Sequence, residues 1–172
     1  DFAILYRTNA QSRAFEDSLR KRNIPYRVYG GLSFYQRKEI KDVLAYLRLI
    51  INENDEEAFK RVINFPTRGI GQTTINKLVI QANSLNVSLY VLCKELDKSQ
   101  LNISSGIKLK VSNFINLIES FKISSKTKNA FDIANQVVNS SGIIKTYSAL
   151  TSIEDQAKIQ NIEEMLNGIK DF

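Results

Sequence analysis

The residues whose types and spacing could do chemistry gather in one stretch, Asn64-Phe65-Pro66-Thr67-Arg68-Gly69-Ile70-Gly71-Gln72-Thr73-Thr74-Ile75. That chemistry is the holding of an oxyanion. Pro66 and two glycines one residue apart end any helix arriving from the N-terminal side. Gln72 to Gln81 reads as a new helix, with Ile75, Leu78 and Val79 at helical spacing. Gly69-Ile70-Gly71 therefore forms a tight hairpin that runs into a helix N-terminus, where unpaired backbone N–H groups suit a phosphate oxygen. Arg68 adds a cation, and Thr73 and Thr74 add hydroxyl donors. Ile70, between the glycines, turns inward and anchors the corner. An ordinary corner between helices, with a threonine as N-cap, would use the same residues.

Catalytic chemistry is excluded more firmly. The chain has no histidine, which removes the commonest general base, the Ser-His and Cys-His pairs and most zinc sites. It has no GxxxxGK[ST] run to cradle a nucleotide. The acidic clusters, Glu53-Asp55-Glu56-Glu57 and Glu163-Glu164, read as solvated acids, the first at a helix start where acids are favoured. Cys93 is the one cysteine; it rules out an intrachain disulfide and lies in an apolar helical stretch, as a core thiol would. Tyr26, Tyr29 and Tyr35 could stack on a base or pack between two parts of the chain.

Elements must position the corner. Phe2 to Tyr6 reads as a buried strand, Ala10 to Arg22 as a helix capped by Thr8 or Asn9, and Tyr26 to Tyr29 as a second strand. The inner side of that helix would carry Ala14, Phe15 and Leu19. Together these form a βαβ edge over residues 1–30, too small to stand alone. Gly30-Gly31 marks the boundary, and residues 31–172 read as helical nearly throughout, so the expected class is mainly α.

Phe34 to Ile51 is the clearest helix, with Ile40, Val43, Leu44, Leu47 and Ile51 on one face. Arg37, Lys41 and Arg48 make an adjacent stripe. They could track a phosphate backbone, or form a solvated face balanced by Glu39 and Asp42. Further helices are expected over Glu56 to Ile63, Leu89 to Leu96 with a Ser88 cap, Ser105 to Lys122, Ala130 to Asn139, Ile143 to Leu150 and Ile153 to Lys170. The last has Ile159, Ile162, Met165, Leu166 and Ile169 inward.

Twenty-four basic residues against 18 acidic ones give a net charge of +6, which favours an anionic partner, nucleic acid first. No apolar run is long enough for a membrane span. The chain opens on a core-like strand and ends within a helical pattern, which suggests a piece of a longer protein.

Three blocks together resemble the UvrD/PcrA/Rep-type superfamily 1A DNA helicases. They are Ala3-Ile-Leu-Tyr-Arg-Thr-Asn-Ala-Gln-Ser-Arg13, Gly30-Gly-Leu-Ser-Phe-Tyr-Gln-Arg-Lys-Glu-Ile-Lys-Asp42 and Asn64-Phe-Pro-Thr-Arg-Gly-Ile-Gly71, in the family's order. The resemblance implies that residues 1–30 are an edge of the RecA-like subdomain 2A, with Arg7, Thr8, Asn9 and Arg13 facing single-stranded DNA. It implies that residues 31–172 are most of the helical subdomain 2B, whose helix-hairpin-helix corner meets duplex phosphates. By match, that contact falls on Thr67, Arg68, Gly69, Ile70, Gly71, Thr73 and Thr74, with Lys41 and Arg48 also facing the duplex.

Where the family shows Arg-x-Glu-Asn-Leu-Glu-Glu-Leu, this chain reads Lys158-Ile-Gln-Asn-Ile-Glu-Glu-Met165, without the pattern's Arg and first Glu. The parent implied is an ATP-dependent 3′-to-5′ DNA helicase of DNA repair or replication in the bacterial cytoplasm, at the nucleoid. ATP and Mg²⁺ would be bound by motor motifs absent from these residues. The partners implied are DNA, the remaining motor subdomains and an accessory protein. The alternative is a protein-interaction or autoregulatory module with no DNA binding of its own.

Overall fold

The structure is a computed structural model that describes residues 2–99, 101–149 and 152–171. It is mainly helical. In chain order come α1 (Ser12–Lys21), α2 (Lys38–Ile51), α3 (Glu56–Val62), α4 (Gln72–Leu85), α5 (Leu89–Lys94), α6 (Ser105–Ser124), α7 (Ala130–Ser140), α8 (Ile143–Ser148) and α9 (Ile153–Lys170). Short 3-10 turns precede α1 and α2 and follow α5. Leu150, expected to end α8, lies outside the described residues.

The helix starts follow local chemistry. The side chains of Asp55, Ser88, Asn129 and Ser152 accept hydrogen bonds from the backbone N–H of Ala58, Val91, Asp132 and Asp155, each pairing a donor the helix itself cannot satisfy. The ends follow it too. Asn86 closes α4 with φ +53°, a left-handed position that asparagine tolerates.

The core is built around α2, which packs on α3, α6, α7 and α9. Ile40, Val43, Ala45, Tyr46, Leu49 and Ile50 are all buried. The helix is therefore amphipathic, with Lys38, Lys41 and Arg48 on its exposed side. Ile51, expected on the inner face, is exposed because it ends the helix beyond the last of these contacts. Phe59 of α3 stands edge-on to both Tyr90 of α5 and Phe114 of α6, at 6.2 and 5.4 Å between ring centres, a favoured aromatic geometry.

The N-terminal segment departs from expectation. No strand is present among the described residues. Phe2 and Leu5 are almost fully exposed, and Tyr29 nearly so. Two short strands have no sheet of their own to join, and an unpartnered pair gains too little to form. The helix between them also presents the unexpected side. Ala14 and Phe15 are exposed, Leu19 is half-buried, and the side chains that α1 buries are Ser12 and Glu16. Gln11, rather than Thr8, holds the N-cap position of α1, without a side-chain bond. Its side-chain oxygen instead accepts from the N–H groups of Arg7 and Thr8, at 2.9 and 3.2 Å.

Candidate nucleic-acid interface

The corner between α3 and α4 is held by one side chain at its centre. Asn64 Oδ1 accepts from the backbone N–H of Arg68 at 2.9 Å and of Ile70 at 3.0 Å. Those two bonds close the loop around Gly69, whose φ of +72° suits a residue without Cβ. Ile70 is fully buried, so the corner is pinned on the core from within. Gly71 then takes the N-cap position of α4 in extended conformation. No described group accepts from the N–H of Gly71, Gln72 or Thr73. These donors form the start of a 14-residue helix, where the dipole also favours negative charge. Thr67 and Thr73 are exposed beside them and Thr74 is half-buried.

The two cations at this corner have different roles. Arg68 turns inward. Its Nη1 donates to the carbonyls of Val62, Pro66 and Ile63 at 2.9, 3.2 and 3.4 Å, and its Nη2 donates to Tyr46 Oη at 2.7 Å. The guanidinium lies 5.2 Å from the Phe114 ring centre. It satisfies the carbonyls left over where α3 ends, as a helix terminus requires.

The cation at the surface is Lys110 of α6, which sequence reasoning missed. A Cβ on Gly69 would lie 2.6 Å from Lys110 Nζ, so the ammonium rests against the bare glycine. Lys110 lies 41 residues beyond Gly69 in the sequence, and no local spacing links the two.

The basic stripe on α2 is divided in the same way. Lys41 is exposed. Arg48 is exposed but shared, at 2.8 Å from Asp55 and 3.5 Å from Glu57; the bond to Asp55 holds its pKa above the ordinary arginine value. Arg37 corrects the expectation of an outward stripe, being only 6% exposed. It precedes α2 in extended backbone, so helical spacing does not apply to it. Its Nη1 donates to Asn161 Oδ1 and its Nη2 to Ser12 Oγ, both at 2.9 Å. Glu39 and Asp42, expected to balance the stripe from solvent, are buried as well. Asp42 pairs with Arg61 at 2.7 Å, and burial raises its pKa against that attraction.

Of the residues expected to face a single strand, Arg7 and Thr8 are exposed in the turn that Gln11 closes. The Asn9 side chain lies outside the described residues. Arg13 is engaged, with Nε 2.9 Å from Glu164 and Nη1 3.2 Å from Asp17. This turn and the α3–α4 corner belong to different parts of the chain.

No three His, Cys, Asp or Glu side chains among the described residues are grouped to hold a metal ion, and no phosphate loop occurs in the sequence. Cys93 is buried, which pushes its thiol up to about 12 and leaves it protonated and unreactive. No helix among the described residues is long and apolar enough to cross a membrane.

The geometry is that of a helical module presenting free backbone donors beside a lysine. The chain belongs to the family of the UvrD-like helicase C-terminal domain, whose model matches residues 1–172. The ATP-dependent DNA helicase PcrA of Leuconostoc citreum is 39% identical over 172 residues, covering 100% of this chain and 23% of that protein. PcrA of Staphylococcus aureus is 37% identical over the same span. DNA helicase II of Salmonella typhimurium is 36% identical over 170 residues, or 99% of this chain and 24% of that protein. The chain thus spans about a quarter of the length of the curated relatives it matches.

Proposed function

We propose that this chain is the duplex-contacting part of an ATP-dependent 3′-to-5′ DNA helicase and binds DNA phosphates without regard to sequence. The contact is made by the N–H groups of Gly71, Gln72 and Thr73, the hydroxyls of Thr67, Thr73 and Thr74, and Lys110, with Lys41 and Arg48 on the neighbouring helix. Arg68, Gly69 and Ile70 shape the corner rather than touch the ligand. Arg7, Thr8, Asn9 and Arg13 face the single strand. ATP and Mg²⁺ are bound by motor subdomains elsewhere in the parent, which is a cytoplasmic bacterial protein. The observation that carries this reading is the set of unpaired amides at the start of α4 beside the Lys110 ammonium, in a chain whose relatives are named DNA helicases.

The test is a salt titration of binding to a short duplex with a single-stranded tail, beside the single strand alone. Duplex preference with a log–log slope of about −2 to −4 is expected, since each neutralised phosphate contributes about −0.9. Absence of duplex binding at low salt overturns the reading and moves the chain to an interaction or regulatory role.

A further inference from the structure

We infer that Tyr46 is a positioning residue that keeps the α3–α4 corner in register with the basic side of α2, so that the two meet one duplex together. The inference rests on the proposed duplex contact.

The corner takes its shape from within and its place from outside. The bonds of Asn64 and those from Arg68 Nη1 all stay between residues 62 and 70. They close the loop without fixing it against another helix. Among the described hydrogen bonds, the tie from these groups to another helix is Tyr46. Its side chain is fully buried in α2. Its hydroxyl accepts from Arg68 Nη2 at 2.7 Å and donates to the Phe65 carbonyl. Burial raises its pKa against the pull of Arg68, so the hydroxyl keeps its proton and makes both bonds at once.

Tyr46 shares one face of α2 with Lys38 and Asp42, at i, i+4 and i+8. Asp42 pairs with Arg61 at 2.7 Å, and Lys38 Nζ lies 5.5 Å from the Phe65 ring centre. This face therefore meets the stretch that leads from α3 into the corner, and of the three side chains Tyr46 is the one hydrogen-bonded to Phe65 and Arg68. Lys41 and Arg48 lie on the exposed side of the same helix. The phosphates of a duplex have a fixed spacing, so donors on α4 and cations on α2 combine their affinities only when held in register.

Tyr46→Phe removes the hydroxyl and keeps the ring. Tyr90→Phe is its matched control, because Tyr90 is 1% exposed and donates to Glu119 at 2.7 Å, away from the corner. The full chain is titrated with a blunt duplex over a range of salt, beside amide hydrogen exchange. Tyr46→Phe is expected to lower duplex affinity about fivefold, the worth of one hydrogen bond. The log–log salt slope stays the same, since every cation remains. Exchange at the Arg68 and Ile70 amides quickens. Tyr90→Phe changes neither duplex affinity nor those amides. In a Lys41→Gln, Arg48→Gln background the register no longer matters, and Tyr46→Phe then costs less than about twofold.

Unchanged duplex affinity in Tyr46→Phe overturns the inference. Equal loss in Tyr46→Phe and Tyr90→Phe does so too, because it reports stability alone. A full fivefold loss in the Lys41→Gln, Arg48→Gln background also overturns it, because Tyr46 then shapes the corner without regard to α2. Absence of duplex binding by the wild-type chain overturns the proposed function and the register of its two contacts with it. Quickened exchange at Arg68 and Ile70 in Tyr46→Phe alone would in that case still show Tyr46 as the support of the corner.

Discussion

Arg68 and Lys110 show how little residue type alone says about role. Both are basic and both lie at the α3–α4 corner, yet one satisfies partly buried carbonyls and the other stands at the surface. Arg68→Ala leaves the Val62 and Pro66 carbonyls and the Tyr46 hydroxyl short of a donor. It is expected to cost about 2–4 kcal/mol of stability, the range for losing a charged donor from partly buried acceptors, seen as a lowered midpoint in denaturant unfolding. Any loss of duplex binding in that variant then reports a damaged corner. Lys110→Ala is the informative substitution. Stability changes by less than about 0.5 kcal/mol, as at an exposed site, while the salt slope of duplex binding flattens by about 0.9. An unchanged slope removes Lys110 from the contact. The sequence identified the corner and its buried Ile70, because Pro, Gly and an isolated apolar residue are local signals. It could not show that Arg68 turns inward, since the acceptors waiting for it exist only once α3 has ended against Tyr46.

At the scale of elements, the corner depends on Asn64. A single side-chain oxygen accepts two N–H groups across four and six residues, and so keeps the start of α4 open to a ligand. Asn64→Ala leaves both donors unpaired. It should destabilise by about 1–3 kcal/mol and weaken duplex binding more than Lys110→Ala does, because every donor of the corner shifts together. Asn64→Asp keeps an acceptor and should retain most of the stability, with duplex affinity lowered by the added negative charge. Equal loss in both variants would mean that Asn64 acts by something other than accepting these bonds.

Element identities after Gly31 were legible because 3.6-residue periodicity and caps such as Ser88 and Asn129 are written locally. The two expected strands do not form among the described residues for a related reason. Phe2 to Tyr6 and Tyr26 to Tyr29 have strand composition, but pairing depends on neighbours that these residues do not include. Arg37 was misplaced because the extended backbone at that residue breaks the helical register on which the stripe was counted.

The molecule as a whole is a helical body with an apolar core and a polar seam that holds α1 to it, and acid should separate the two. Glu16 sits at the centre of that seam, accepting from the Phe34 N–H at 2.9 Å, from Tyr26 Oη at 3.1 Å and from the Ser33 hydroxyl. Burial works to raise its pKa, but these hydrogen bonds outweigh it and hold the carboxyl below its ordinary 4.5. The folded state therefore binds fewer protons at Glu16 than the unfolded state does. The stability Glu16 contributes is complete above pH 4.5 and is lost as pH falls through the folded value. Burial also lowers the pKa of Arg37, against the attraction of Glu16 and Glu39, so neutralising Glu16 leaves a buried guanidinium with less compensation.

Asp42, inside the helical body, runs the other way. Its pKa is raised above 3.8, so protonating it relieves a cost. Below pH 4.5 the amides of α1 should lose hydrogen-exchange protection while those of α2 keep theirs, and Glu16→Gln should make the protection of α1 nearly independent of pH across that window. If α1 and α2 lose protection together, the segment and the body form one cooperative unit and the seam is not a separate joint.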